Sequence, residues 1–576
     1  MQMYKKPFQL CTFVIQLFKK MIYPKIPLAQ SIIEICKAKN LHHIVISPGS
    51  RNAPLTIGFT NHETFKCYSI ADERCAAFFA IGLAEQLQKP VAVVCTSGSA
   101  LLNYYPAFAE AFYSQIPLVV ISADRPQDKI DIGDGQTIRQ ENVFDNHSLY
   151  NANLTEESSV ENDVKIQEAL HISVSKKGPV HINVPFEEPL YETVETLSVK
   201  PNYVLFPSEE KPLENLDIFV NQWNLADKKL FLIGGDTPNS IEQSILNKLG
   251  QDESVVVMTE VTSNVHHANF ITNIDTIITP FTEQDFKNFQ PDILITIGGM
   301  IVSKRIKVFL RKYKPKQHWH IDQLRAYDTF DCLTKHFEVS PNKFFNTFLP
   351  KINTLDSSYL SSVLEIRKFR TQKSNEYLSK IRFSDLKAFE IILPMLPKNS
   401  QLQISNSSPI RYAQLFEIDS TIEVFCNRGT SGIDGSTSSA IGAAFASGKE
   451  TVLITGDIGF LYDSNALWNN YIPKNFKIII VNNGGGGIFR ILPGHQENKT
   501  FNTYFETSHC LTAEHLAKMY GFEYEIASCE SSLKNGMQKL INATQPIILE
   551  VFTPSKCNDS VLLNYFNYLT KISDIY

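Results

Sequence analysis

The sequence predicts an α/β protein of three doubly wound parallel-sheet domains, and three observations carry that prediction. Runs such as IVIS, PVAVVCT, KKLFLIGG, DILITIGG and TVLITG are rich in β-branched residues without polar alternation, as strands buried on both faces of a parallel sheet are. Most are followed by a turn containing Gly, Ser or Asp and then by a segment with helical spacing. A chain of 576 residues, 43% of them hydrophobic, also exceeds what a single core organises, so roughly three or four domains are expected.

Residues 1–20 read as an N-terminal extension. Their apolar stretch of about eleven residues is interrupted by Gln16, whereas a membrane span needs about 20, and no small-residue cleavage site follows. No stable membrane insertion is expected. Residues 21–195 form the first unit: amphipathic LAQSIIEICKAKN, strand HHIVIS with turn PGSRNAP, strand PVAVVCT with SGSA and helix LLNYYPAFAEAFYS, then PLVVISA ending at DRP. Ligands of open parallel sheets sit at the carboxyl ends of strands, so SPGSR, TSGSA and ADRP are expected along one functional edge. The proline-containing PFEEPLYETVETLSVKPNYVLFP leads into a central α/β unit, 196–350, with strands in KKLFLIGGD, SVVVMTE, DILITIGG and HWHID. Residues 351–385 are charged and helical in pattern and read as a linker to the third unit, 386–576.

The formal net charge of −6, with no long Lys/Arg run, excludes a general nucleic-acid binder. Screening over about 8 Å still leaves a local basic cluster able to hold a small anion. Ten scattered cysteines without a CxxC pair form a reduced set, which points to a cytoplasmic location.

The chemistry concentrates in TVLITGDIGF and KIIIVNNGGGGIF. In the first, an apolar strand ends at Gly456 and Asp457 emerges at its carboxyl end. Asn483 follows 26 positions later, room for a helix and a return strand beside the first, so both side chains are expected at one edge. Magnesium takes near-octahedral oxygen ligands at about 2.0 to 2.1 Å and commonly shares its shell with phosphates, which suits an Asp, an Asn and a backbone carbonyl. Taken singly, each residue has a plainer explanation: Asp457 as a helix cap, NNGGGG as a loop. The joint spacing favours the metal.

These residues carry a resemblance. The GD…NN arrangement is similar to the cofactor signature of thiamine-diphosphate enzymes, with Ile458 where a third glycine is usual. SPGSRNAPL, DERCAAFFAIGLA, TSGSALLNYYPAFAEA, ADRP, GQTIRQ, ISNSSPIR, NRGTSGIDG and NNGGGGIF, in this order, resemble the 2-succinyl-5-enolpyruvyl-6-hydroxy-3-cyclohexene-1-carboxylate synthase family of menaquinone biosynthesis across roughly residues 25 to 555. The fold implied is three doubly wound domains of the thiamine-diphosphate enzyme type.

The resemblance implies thiamine diphosphate with Mg2+, Mn2+ being the alternative ion, held by Asp457, Asn483 and the Gly485 carbonyl. Ser431, Gly432, Gly456, Asn482 and Gly486 would contact the cofactor, and Ile433 would wedge between its two rings. Glu73 would be the catalytic acid, activating the aminopyrimidine ring through its N1′ nitrogen. Glu73 follows the strand-like CYSIA and precedes the small, apolar CAAFFAIGLA, so a buried carboxyl with a raised pKa is expected.

The implied substrates are 2-oxoglutarate and isochorismate, both dicarboxylates, and charge-assisted contacts worth about 1.5 to 3 kcal/mol each make arginines the expected partners. The motif positions assign Ser50, Arg51, Arg125 and Gln136 from the first unit. Lys304 and Arg305 come from the central unit, and Ser407, Arg411 and Arg428 from the third. Ile488, Phe489 and Leu492 would wall the cavity. One departure is GDGQ at 133–136, where the family more often has GANQ.

Glu73 and the metal ligands fall in different units, so the cofactor must bridge two domains; in the family these come from two subunits, which implies a homodimer or homotetramer. His42 and His43 precede their strand, at the wrong end for catalysis, and His318 with His320 lacks a third zinc ligand nearby in sequence. Two other readings stand beside this one. One is another thiamine-diphosphate carboligase or a 2-oxo-acid decarboxylase; the other is a non-catalytic, cofactor-binding regulatory protein.

Overall fold

In a computed structural model of the chain, the described residues are 21–206, 212–491, 494 and 496–570. The extension 1–20 and Leu492 lie outside them. The chain folds around three parallel sheets. The first runs, in spatial order, Lys66–Ser69, His43–Ile46, Val91–Cys95, Leu118–Asp124, Val180–Pro185 and Asn151–Asn153. An antiparallel pair, Tyr23–Pro24 with Thr193–Val194, closes this unit at its two ends.

The central sheet has five strands: Val255–Thr259, Lys229–Ile233, Ile293–Ile297, Gln317–Ile321 and Lys335–Phe337. The third has six, Glu423–Phe425, Gln401–Ile404, Thr451–Gly456, Phe476–Asn482, Ile547–Phe552 and Glu523–Ala527. Their inner strands are buried throughout, which is why their sequences do not alternate.

The 351–385 segment is largely the helix Tyr359–Leu378. Its start packs in the core of the central unit through Tyr359, Leu360 and Val363. Asp385 already belongs to the third unit, as the first residue of helix Asp385–Ile392, whose Leu386, Phe389 and Ile392 enter that unit's core. Ser384 caps this helix by accepting from Lys387 N, a contact worth about 1 kcal/mol.

The first and third units share one continuous apolar core. Helix Glu73–Leu87 crosses helix Ser436–Ser447 with the backbones nearly touching. A Cβ on Gly82 would stand 2.0 Å from Ser439 O, and one on Gly442 would stand 2.1 Å from Phe79 O. Only glycine permits that approach. It lets Phe78 and Phe79 bury completely beside Tyr68 and Tyr471, at about 1.5–3 kcal/mol per large apolar side chain. Among the described residues, no helix is long and apolar enough to cross a membrane.

Candidate active site

Strands Thr451–Gly456 and Phe476–Asn482 are parallel neighbours whose register ends with Gly456 opposite Val481. Asp457 and Asn483 therefore leave the sheet side by side at its carboxyl edge. Both line a cavity of about 190 Å3 together with Ile433, Gly456, Ile458, Ile488 and Phe489. Asp457 is 5% exposed; its Oδ1 accepts from Ile458 N at 2.8 Å and its Oδ2 from Gly485 N at 2.9 Å. Burial pushes its carboxyl up from the ordinary aspartate range, while the Ile458 and Gly485 amides and the His509 ring pull it back.

Asn483 is held from one side only. Its Nδ2 donates to Asp385 Oδ2 at 2.9 Å, and Asp385, also bonded to Thr553, is pushed up to about 6 by burial. Its Oδ1 is buried with no hydrogen-bond partner among the described residues. Leaving a buried acceptor unpaired costs about 1–3 kcal/mol, and the atom lies beside a buried carboxylate. A carboxylate and an amide oxygen at one cavity wall are a donor set that a hard divalent cation fits.

The glycine loop completes the wall. Gly485 has φ +152°, and a Cβ there would stand 2.7 Å from Glu506 O. Gly486 N donates to the same oxygen at 2.6 Å, and His509 N donates to Gly484 O at 3.0 Å. Glu506 is in turn fixed by a buried ion pair with Arg490. The loop is thus a side-chain-free segment stitched to residues 506–509. His509 Nε2 lies 3.3 Å from Asp457 Oδ2 without hydrogen-bond geometry.

The remaining assigned residues divide. Ser431 has φ +62°, and its Oγ donates to Arg428 O at 3.3 Å; Gly432 O accepts from Asn406 Nδ2 at 2.7 Å. Asn482 is turned into the fold instead, donating to Leu511 O and Glu550 Oε1. Arg411 Nη1 donates to Ser407 O at 2.6 Å, and Arg428 Nη1 to Asn406 Oδ1 at 2.7 Å. Ser407 and Asn406 both line the cavity. Arg428 Nε is buried and unpartnered, and Arg411 is lowered first by burial and then by the like charge of Arg428. The two guanidinium groups act on each other, with Asp275 facing Arg411 and Glu260 facing Arg428.

The residues from the first unit lie elsewhere. Arg51 is buried, its guanidinium donating to Phe186 O and Glu188 Oε1. Arg125 Nη2 donates to Gly135 O at 3.0 Å, its Nε being buried and unpartnered. Ser50 and Gln136 are exposed. In the central unit, Lys304 and Arg305 are exposed at the start of helix Lys304–Lys312, with Arg305 over the Phe566 ring at 4.6 Å.

Glu73 departs from the expected burial. It begins helix Glu73–Leu87 and is half-buried, accepting from Asn103 Nδ2 at 3.3 Å. The buried face of that helix starts only at Cys75, and a side chain at the first helical position leans back past the helix end rather than onto that face. Glu73 does not line the Asp457 cavity, whose walls among the described residues come from positions 385–489. Asp385 and His509 were not legible as site residues: no motif marks them, and tertiary approach alone brings them in, whereas Asn406 lies within the motif ISNSSPIR.

Residues 26–149 match the thiamine pyrophosphate enzyme family in its N-terminal TPP binding domain, 219–404 in the middle domain of thiamine pyrophosphate enzymes, and 407–551 in the C-terminal TPP binding domain. A protein of Flavobacterium psychrophilum is 78% identical over 550 residues, covering 96% of this chain and 100% of the relative. One of Flavobacterium johnsoniae is 67% identical over 554 residues, at 96% and 100% coverage. One of Porphyromonas gingivalis is 37% identical over 558 residues, at 94% and 96%. All three are named 2-succinyl-5-enolpyruvyl-6-hydroxy-3-cyclohexene-1-carboxylate synthase. With three matched domains and relatives aligned along nearly its whole length, the chain belongs to this synthase family of the thiamine pyrophosphate enzymes.

Proposed function

We propose that the chain decarboxylates 2-oxoglutarate and joins the remaining succinyl unit to isochorismate, giving 2-succinyl-5-enolpyruvyl-6-hydroxy-3-cyclohexene-1-carboxylate and CO2. The observation that carries this reading is that Arg411 and Arg428 are anchored on Ser407 and Asn406, consecutive residues at the wall of the cavity holding Asp457 and Asn483. Asn406 and Ser407 thus join the cavity of Asp457 and Asn483 to two arginines, of which Arg428 lines a second cavity between the units, an arrangement that would suit a diphosphate cofactor beside a dicarboxylate substrate. Bound thiamine diphosphate supplies the nucleophilic carbon and the electron sink for decarboxylation.

The chain's own residues bind and orient. Asp457 Oδ2, Asn483 Oδ1 and the Gly485 carbonyl hold magnesium, or manganese in its place. Gly456, Gly486 and the 431–432 turn would bring backbone close to the cofactor, and Ile433 would pack against it. Arg411 and Arg428 with Lys304 and Arg305 take substrate carboxylates, and Ile488 and Phe489 exclude water. Glu73 would set its carboxyl group against the pyrimidine ring of the bound cofactor. Since Glu73 stands outside the Asp457 cavity of its own chain, a second copy supplies it, making a homodimer the minimal unit, with Ser50, Arg51, Arg125 and Gln136 arriving beside it. The nine free cysteines among the described residues fit a cytoplasmic enzyme.

Mass-spectrometric product analysis with both substrates, thiamine diphosphate and magnesium tests the reading. The succinyl adduct should form only when both substrates are present. Turnover of pyruvate alone, without the adduct, would overturn the assignment in favour of another carboligase or a 2-oxo-acid decarboxylase. Cofactor binding without any turnover would leave a regulatory protein.

A further inference from the structure

Glu260 is a buried acid for which the proposed chemistry has no use. It directly follows strand Val255–Thr259 of the central sheet and is 3% exposed. Its Oε1 accepts from Val302 N and Ser303 N, both at 2.8 Å, and its Oε2 from Val302 N at 2.7 Å. Ser303 is the N-cap of helix Lys304–Lys312, accepting from Ile306 N at 3.2 Å and donating its own hydroxyl to Asp275. The turn before Lys304 is therefore gripped through its backbone by buried Glu260 and through its cap by half-buried Asp275.

These acids also face the cations. Arg428 and Asp275 act on Glu260, and Lys307 feels Glu260 and Arg428 together. Burial pushes the Asp275 carboxyl up, while its bond to Ser303 and the charges of Arg305 and Arg411 pull it back. The following loop docks on the third unit: Asn264 Nδ2 donates to Val424 O at 3.0 Å and Oδ1 accepts from Val424 N at 2.8 Å, while Gln414 Oε1 accepts from Val261 N at 3.2 Å. One short segment, 260–264, thus touches the helix carrying Lys304 and Arg305 and the strand leading to Arg428. A carboxylate this buried costs several kcal/mol unless its oxygens are saturated with donors, and here the donors are the turn itself.

We infer that Glu260 is a positioning residue for substrate binding: by clamping the Val302–Ser303 amides it sets Lys304 and Arg305 at a fixed distance from Arg411 and Arg428 across the domain boundary. The inference rests on the proposed binding of dicarboxylates by these cations. It locates the role in the reach of the carboxylate, because one oxygen already takes both amides.

The test is steady-state kinetics of the full-length enzyme with 2-oxoglutarate and isochorismate, beside calorimetric binding of thiamine diphosphate. Glu260→Asp, with the charge kept and the reach shortened, should raise KM for at least one substrate about tenfold, with kcat and cofactor Kd changed less than about twofold. Glu260→Gln keeps an oxygen in place and should recover most of the lost affinity. An Asp variant with wild-type KM, or one losing kcat and cofactor affinity in proportion, would overturn the inference. Arg428→Gln separates the two levels. If it raises KM and Glu260→Asp does not, the clamp alone is wrong; if neither moves KM, the assignment of these cations to substrate is wrong as well.

Discussion

Replacing Asn483 by alanine separates two contributions that the folded chain sets against each other. Asn483 Nδ2 donates to buried Asp385, a bond to a charged group worth about 1.5–3 kcal/mol, while its Oδ1 is buried unpaired, a cost of about 1–3 kcal/mol. The variant loses both, so its stability without ligands should stay within about 1 kcal/mol of wild type. With magnesium and thiamine diphosphate the two should part. A ligand at about a hundred times its dissociation constant stabilises the folded state by about 2.7 kcal/mol, and the variant lacks one of the proposed oxygen ligands. Urea unfolding with and without both ligands is the assay. Wild type should gain about 2.7 kcal/mol at that excess, and the variant less than about 1 kcal/mol at the same concentrations. An equal gain in both proteins would refute the placing of a metal on Asn483 Oδ1. A variant badly destabilised without ligands would refute the cancellation.

Three further outcomes follow from the geometry. Gly485→Ala puts a Cβ 2.7 Å from Glu506 O at φ +152°, so magnesium-dependent cofactor affinity in calorimetry should fall at least about tenfold, or about 1.4 kcal/mol; unchanged affinity would exclude the loop from the site. Glu73→Gln and Asp457→Ala chains should each be inactive alone, but on equal mixing and reassembly should regain about a quarter of wild-type activity, because half the dimers then carry one intact site. No recovery from demonstrably mixed dimers would place Glu73 and Asp457 of one chain in the same site. Glu260 is pushed up to about 7 by burial, above its value in the unfolded chain. Its stabilising protonation is therefore complete at low pH and lost as pH rises through 7, so wild type should be about 1 kcal/mol more stable at pH 6 than at pH 8 relative to Glu260→Gln. Parallel stability profiles would show that Glu260 titrates normally.

The sheets were readable because a strand buried on both faces leaves an uninterrupted apolar run, as in Val91–Cys95 and Phe476–Asn482. The edge strands Asn151–Asn153, Lys335–Phe337 and Glu423–Phe425 have three residues each, too few for any period to register. The same limit governs the site. Asp457 and Asn483 could be read because each directly follows such a run, so local sequence fixes both the strand and its exit. Asp385 reaches Asn483 across 98 residues and Glu260 reaches Val302 across 42, and nothing in either local pattern records that approach. Glu73 is half-buried in the single chain for a related reason: the apolar residues after it describe the helix's inner face, while its own position is set by where that helix starts.

The unpaired buried atoms at the site are themselves an argument about how the enzyme is assembled. Asn483 Oδ1 and His509 Nε2 stand at the Asp457 side, Arg428 Nε at the anion side, and Arg125 Nε in the first unit. Folding normally satisfies such groups, and each left alone costs about 1–3 kcal/mol. They sort by what would satisfy them: an amide oxygen needs a cation, and guanidinium nitrogens need carboxylates. Arg125 does not line the Asp457 cavity of its own chain. If a second copy brings Arg125 and Glu73 to that cavity, substrate binding draws on both chains, and the affinity for 2-oxoglutarate should fall with dilution below the dimer dissociation constant while thiamine diphosphate retains its contacts to Asp457 and Asn483. Analytical ultracentrifugation beside equilibrium binding at the same concentrations would show this, and substrate affinity independent of the degree of association would refute it.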